Sequence, residues 1–190
     1  AQPASAQPVP AAAKEAQPAG ERVVIATEHG RIVIDLFEED APRHAASFMR
    51  LVREGFFNGL SFHHVIDGFM AQGGALQGPG ASGPEAAIPA EIGRKHARGS
   101  VAASRKTFGN PQKASNAGQF YVCFAAQPGL DGEYTVFGQV VEGMDVVDRL
   151  KRGTGLNGAM IPPGSGDKML KVEVLEVEGP EVQAAAPNAK

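Results

Sequence analysis

Between Leu60 and Gly74 the chain alternates, turns and alternates again: Leu-Ser-Phe-His-His-Val-Ile, then Asp67-Gly68, then Phe-Met-Ala-Gln-Gly-Gly. Asp-Gly between two apolar runs is a tight-turn signal, so this stretch predicts an antiparallel hairpin. Residues two apart on a strand share a face. Met70 and Gln72 are therefore expected on one face, and Phe62 and His64 on another shared face. One short segment thus brings an imidazole, large apolar side chains (Phe69, Met70) and a carboxamide into one neighbourhood. A buried hairpin with an incidental glutamine is the competing reading, because Phe and Met prefer cores.

Two later stretches favour the functional reading. Ser115 to Phe124 reads Ser-Asn-Ala-Gly-Gln-Phe-Tyr-Val-Cys-Phe, and Leu130 to Gly138 reads Leu-Asp-Gly-Glu-Tyr-Thr-Val-Phe-Gly. Together with FHHVIDGFMAQGG they resemble the cyclophilin family of peptidyl-prolyl isomerases, from about Val23 to Val177. The long motif departs clearly from the family pattern once: His64 stands where the family's catalytic arginine belongs. The resemblance implies a mainly β fold, a closed eight-stranded antiparallel barrel capped by two α-helices. It also implies an outer groove in which Phe69, Met70, Tyr121 and Leu130 form the proline pocket. Gln72 anchors the substrate carbonyl, Tyr134 closes the wall, and Ser104 and Arg105 offer hydrogen bonds. His64, Gln72, Phe69 and Tyr121 are the catalytic candidates, and Met70, Ser104, Arg105, Leu130 and Tyr134 the substrate-binding ones. Gly129 stands where many members place a large aromatic, which implies a shallower rim.

The 190 residues divide on composition into three parts. Residues 1–20, nearly all Ala, Pro, Gln, Ser and Gly, read as a disordered tether. Residues 21–178 form the domain, and residues 179–190 a disordered tail. The small-residue start without methionine is what signal cleavage leaves behind, so a periplasmic or secreted protein is expected. A net charge of −3 gives no reason to expect nucleic acid. No apolar run approaches the roughly 18 residues of a membrane span. Proline-containing polypeptides are the expected partners, and a monomer is the expected state. One cysteine, Cys123, excludes an internal disulfide and sits in an apolar strand pattern that predicts a buried, inert thiol.

Along the rest of the chain, Arg22–Thr27 and Arg31–Phe37 predict a hairpin, with Ile32, Ile34 and Leu36 on one face. Asp40 reads as an N-cap ahead of Pro42; Ala45, Phe48 and Val52 give helical spacing, and Gly55 ends the helix. Gly78 to Gly83 fits G-x-G-x-x-G formally. It is rejected as a nucleotide site, because no strand-to-helix unit surrounds it and Pro84 follows. Arg94, Lys95, His96 and Arg98 read as solvated loop charge. His63, His64 and His96 lack metal-ligand spacing, and no cofactor is expected. A strand is predicted near Gly99–Ser104, others at Gln119–Phe124, Thr135–Val140 and Met169–Val177, and a short helix at Met144–Leu150.

Rotating an X–Pro bond requires that amide resonance be broken, and no covalent bond is made. The catalyst needs a pocket for the ring, polar groups for the carbonyl, and a donor for the imide nitrogen as its lone pair develops. Three expectations follow for a chain with His64. His64 donates the hydrogen bond itself, with weaker activity that rises toward pH 6. Arg105 reaches across to replace the missing guanidinium. Or catalysis is largely lost, and the scaffold is a weakly active proline-peptide-binding chaperone or adaptor. Isomerase activity, reduced by the loss of the arginine, is favoured.

Overall fold

The computed structural model describes residues 20–75, 87–154 and 160–177. Apart from Gly20, the expected tether and tail lie outside the described residues, as does Gly78–Gly83.

Alternation of β-branched residues builds the first hairpin. β1 (Gly20–Thr27) and β2 (Gly30–Leu36) pair antiparallel, Val23 opposite Ile34 and Ile25 opposite Ile32. All four side chains are fully buried, so the inward face of this ladder is continuous hydrocarbon. The remaining strands are β3 (Phe62–Ile66), β4 (Met70–Gly74), β5 (Ser100–Ala103), β6 (Gln119–Cys123), β7 (Val136–Glu142) and β8 (Lys171–Val177). They form one sheet in the order β3-β4-β6-β5-β7-β2-β1-β8, every neighbouring pair antiparallel. The two end strands meet without a ladder between them. Residues at or just ahead of the start of each strand carry the seam: Gly59 N–H donates to the Met169 carbonyl (2.7 Å), Phe62 N–H to the Asp167 carbonyl (2.9 Å) and Met169 N–H to the Leu60 carbonyl (2.8 Å). The expected barrel is therefore an eight-stranded sheet curled until a single bridge, Ser61 with Lys168, joins its ends.

Helix α1 (Pro42–Arg53) buries Ala45, Phe48, Leu51 and Val52 against β7 and β8; the short α2 (Met144–Asp148) lays Val146 and Val147 against β2. Inside the barrel Phe48 meets Phe57 at 5.0 Å, Phe120 at 5.2 Å and Phe137 at 5.1 Å, and Phe62 meets Phe120 edge-on at 6.2 Å. Tilted and edge-on rings pack more favourably than stacked faces, and this cluster fills the interior.

The start of α1 differs from expectation. Its N-cap is Ala41, with no side-chain cap, and Asp40 instead pairs with Arg94 at 2.6 Å. The exposed donors of the first turn are met from nearly fifty residues away. Glu91 accepts the backbone N–H of Arg43 (3.0 Å) and of His44 (3.1 Å), and pairs with the buried His44 ring at 2.6 Å. A carboxylate at this position satisfies orphan N–H groups and lies at the positive end of the helix dipole. Burial lowers the His44 pKa despite this partner. Burial also acts to raise the Glu91 carboxyl, but the hydrogen bonds from His44 and the two N–H groups outweigh it and hold the carboxyl below its ordinary value.

Candidate functional site

The hairpin at the centre of the sequence forms as read, with one change in register. Val65 pairs with Ala71 and Ile66 with Met70 around the Asp67-Gly68 turn, and Gly68 supplies the positive φ (+68°) that the turn requires. Toward the other end, Phe62 faces Gly73 while His64 faces Gln72, so His63 is one residue in excess. This bulge breaks the expected sharing of a face. Phe62 points inward against Phe120, and His64 points outward. Bulges commonly re-aim a side chain beside a site, and this one delivers the imidazole to the same side as Gln72. His63 stays buried, its Nδ1 3.3 Å from the Ser61 carbonyl. Beyond the hairpin, Gly74 lets β4 press on the chain ahead of β6, since a Cβ there would collide with the Gly118 carbonyl.

On the outer face, β3, β4, β6 and the loops after β5 and β6 enclose a groove of about 300 Å³. Its apolar half is Phe69, Met70, Tyr121, Leu130 and Tyr134; its polar half is His64, Gln72, Ser104 and Arg105. All nine residues expected at a site therefore line one cavity. Thr107 also lines it, and nothing in the polar loop after Arg105 marked that residue in advance. Behind the apolar half lies a second small core, Met70, Ala102, Tyr121, Cys123 and Val136, separate from the barrel interior. Adjacent residues of β6 thus serve different compartments, Phe120 the barrel core and Tyr121 the groove. Tyr121 meets Tyr134 edge-on at 5.8 Å. Burial pushes the Tyr121 phenol up and the Cys123 thiol up to about 12, so neither ionises near neutrality.

The polar half is a directed hydrogen-bond chain. The Ala75 carbonyl can only accept, so the Gln119 amide nitrogen donates to it. The Gln119 oxygen then faces Gln72 Nε2, which donates at 3.3 Å. That orientation turns Gln72 Oε1 toward His64 Nδ1, 3.4 Å away. An amide oxygen is an acceptor only, so Nδ1 carries a proton, and in the neutral ring Nε2 is left as a lone pair. Among the described residues the second N–H of Gln72 meets no acceptor, so it can serve a ligand. Ser104 uses its N–H on the Gln119 carbonyl (3.1 Å) and its own carbonyl on Asn116 N–H (2.8 Å), which pins its backbone at the groove it lines.

Arg105 is held rather than poised. Its Nε donates to the Glu133 carbonyl (2.8 Å), Nη2 to the Glu133 carboxylate (3.0 Å) and Nη1 to the Lys106 carbonyl (3.2 Å). The guanidinium lies 4.6 Å from the Tyr134 ring centroid, and the side chain is 7% exposed. It braces Tyr134 and the loop at the far wall.

In the basic stretch before β5, Arg94, Lys95 and Arg98 are exposed loop charges as expected, and His96 is the exception. Arg94 lies over the Phe37 ring at 3.6 Å, Arg98 pairs with Asp148 at 2.6 Å, and the His96 ring is fully buried behind Tyr121. Among the described residues, the cluster that could hold a metal ion is Glu28, His29 and Asp167, and none of them lines the groove. His29 and Asp167 pair with each other at 3.1 Å.

Residues 22–174 match the family described as Cyclophilin type peptidyl-prolyl cis-trans isomerase/CLD. A peptidyl-prolyl cis-trans isomerase of Helicobacter pylori is 42% identical over 147 residues, covering 73% of this chain and 86% of the relative. A probable peptidyl-prolyl cis-trans isomerase of Brucella suis is 39% identical over 168 residues, covering 80% of this chain and 81% of the relative. In architecture the chain resembles a Cryptosporidium parvum cyclophilin solved in the presence of the dipeptide Ala-Pro, with a TM-score of 0.68 at 22% identity, over 82% of this chain and 99% of that one.

Proposed function

The chain belongs to the cyclophilin-type peptidyl-prolyl cis-trans isomerases, and we propose that it turns X–Pro bonds in the groove between His64 and Tyr134, with protonated His64 as the donor to the imide nitrogen. The proline ring sits on Tyr121 between Phe69, Met70 and Leu130, the apolar half of the groove. Gln72 gives its free N–H to the substrate carbonyl, and Ser104 its hydroxyl to the peptide backbone. Arg105 holds the Tyr134 wall and takes no part in the rotation.

The observation that carries this reading is the one-way chain from Ala75 to His64. With Nδ1–H committed to Gln72, a neutral His64 offers only a lone pair at Nε2. The imide nitrogen needs a donor as it pyramidalises, and of the two forms of His64 only the imidazolium supplies one. Protonation changes nothing in the Gln72 contact, so the donor appears without rearrangement. The titratable groups around His64 are Arg105, Tyr121 and Tyr134 across the groove and His63 on its own strand, while Met160, bridged to it on the other side, carries no charge. With His64 neutral the same groove grips proline peptides without turning them over efficiently, so the isomerase and adaptor readings are two states of one site.

Exchange spectroscopy of an Ala-Pro peptide from pH 5.5 to 8 tests this. Turnover is expected to rise toward low pH with the uptake of one proton, and His64→Gln to abolish the slope. A flat profile for the unaltered protein would remove His64 from the donor role.

A further inference from the structure

His96 enters none of the chemistry above, yet its side chain is 0% exposed and every polar atom it carries is engaged. Nδ1 lies 3.0 Å from Asp131 Oδ1, and the backbone N–H donates to that same oxygen at 2.7 Å. The His96 carbonyl accepts from Gln127 N–H at 3.0 Å. Nε2 is 2.9 Å from the Tyr121 hydroxyl, with the two rings within 6° of parallel. The chain has a direction. Asp131 is held as a carboxylate by the His96 backbone and ring hydrogen bonds, so it accepts only. Nδ1 must then donate, the neutral ring leaves Nε2 as the acceptor, and the Tyr121 hydroxyl donates to it.

The geometry points to His96 and Asp131 as positioning residues for the proline pocket, which they shape by taking up the Tyr121 hydroxyl behind the groove and tying down the loop that carries Leu130. Two walls of the pocket thus depend on one imidazole. Tyr121 presents its ring face to the substrate because its hydroxyl is consumed on the far side. Asp131 and Gln127, both bound to His96, bracket Leu130. A tyrosine at the pocket floor without this acceptor would leave a buried hydroxyl unpaired, which favours rotating the ring out of place. The inference rests on reading the groove as the proline site.

The test is a double-mutant cycle on Ala-Pro peptide affinity, followed by chemical-shift titration at fixed pH. His96→Leu is expected to weaken binding about tenfold, with exchange at saturating peptide changed by less than about twofold, because a displaced floor removes ground-state and transition-state contacts equally. Adding Tyr121→Phe to His96→Leu removes the orphaned hydroxyl, and affinity should return to within about threefold of the unaltered protein. An unchanged affinity in His96→Leu, or a loss that Tyr121→Phe does not relieve, overturns the inference. In the unaltered protein, long-range proton–nitrogen correlation of the imidazoles should show His96 protonated at Nδ1 and bare at Nε2. The opposite tautomer overturns it also, and that readout stands even if His96→Leu does not fold. If the unaltered protein binds the peptide but does not accelerate exchange, the isomerase reading fails while the cycle and the tautomer still decide the role of His96.

Discussion

Phe120 and Tyr121 are neighbours on β6 and belong to two different solvents. Phe120 points into the barrel, where it meets Phe48, Phe57 and Phe62 within 6.2 Å. Tyr121 points into a groove whose polar half is His64, Gln72, Ser104 and Arg105. The inner face is held by area and shape, which are tolerant of detail and large in sum. The outer face is held by directed hydrogen bonds, individually modest but each dependent on the next. The barrel interior therefore governs whether the protein folds, and the groove governs what the folded protein does.

The largest effect that could break this division is on the inner face. Phe120→Ala should cost about 3–5 kcal/mol of stability by leaving a cavity among three rings. Gln72→Ala, one strand away on the outer face, should change thermal stability by no more than about 1 kcal/mol yet lower turnover on the order of a hundredfold. Comparable losses of melting temperature in the two variants would erase the distinction. A gain of function sharpens it next. His64→Arg supplies a donor that is charged at every working pH, so turnover at pH 8 should rise by roughly a hundredfold and lose its dependence on pH. Little gain at pH 8 would mean that the donor is not what limits this groove.

Acid should then act on the two regions in opposite senses. In the groove, protonating His64 adds a donor. At the start of α1, protonation removes what holds the helix. His44 and Glu91 both have folded pKa values below their unfolded ones, so their contribution is fully present above the unfolded values, and is lost as pH falls through the folded ones. Melting temperature should fall progressively below about pH 6.5, where free imidazole protonates, while turnover rises. Glu91→Gln should lower stability at pH 7 by about 1.5–3 kcal/mol and flatten the acid limb of the melting-temperature profile. An unchanged limb would place acid sensitivity elsewhere. The smallest effect is at the rim. A side chain added at Gly129 meets open space, with nothing within 4 Å of the new Cβ. Gly129→Trp should tighten Ala-Pro peptide binding a few-fold, measured by the same titration, and leave the melting temperature unchanged.

Local pattern was enough to find the hairpin around Asp67-Gly68, the helix from Pro42, the buried Cys123 and, through the family resemblance, nine residues that line one cavity. These features depend on neighbours in the chain: a period of two or of 3.6, a turn dipeptide, an ordered motif. Thr107 escaped because it lies in a polar loop with no periodicity. The cap of α1 was assigned to Asp40 because a capping residue is sought next to its helix. The carboxylate that caps it, Glu91, is brought there only by the fold.

Three outcomes belonged to the tertiary structure alone. The extra residue at His63 cannot be seen in an alternating pattern, because a bulge is defined by the strand opposite, and it reversed which face His64 shares. His96 read as a charge among charges until packing placed it between Asp131 and Tyr121, 35 and 25 residues away. Arg105 has a long, flexible side chain, and whether it would reach the substrate or brace the wall depended on where Glu133 and Tyr134 arrived. The sequence by itself determined the class of fold and, through the resemblance carried by its ordered motifs, nine residues of the groove, since a motif is an order of side chains along the chain. The direction of each hydrogen bond in that groove, and with it the protonation state in which His64 can act, was decided only when distant acceptors met, because donor and acceptor roles are properties of pairs.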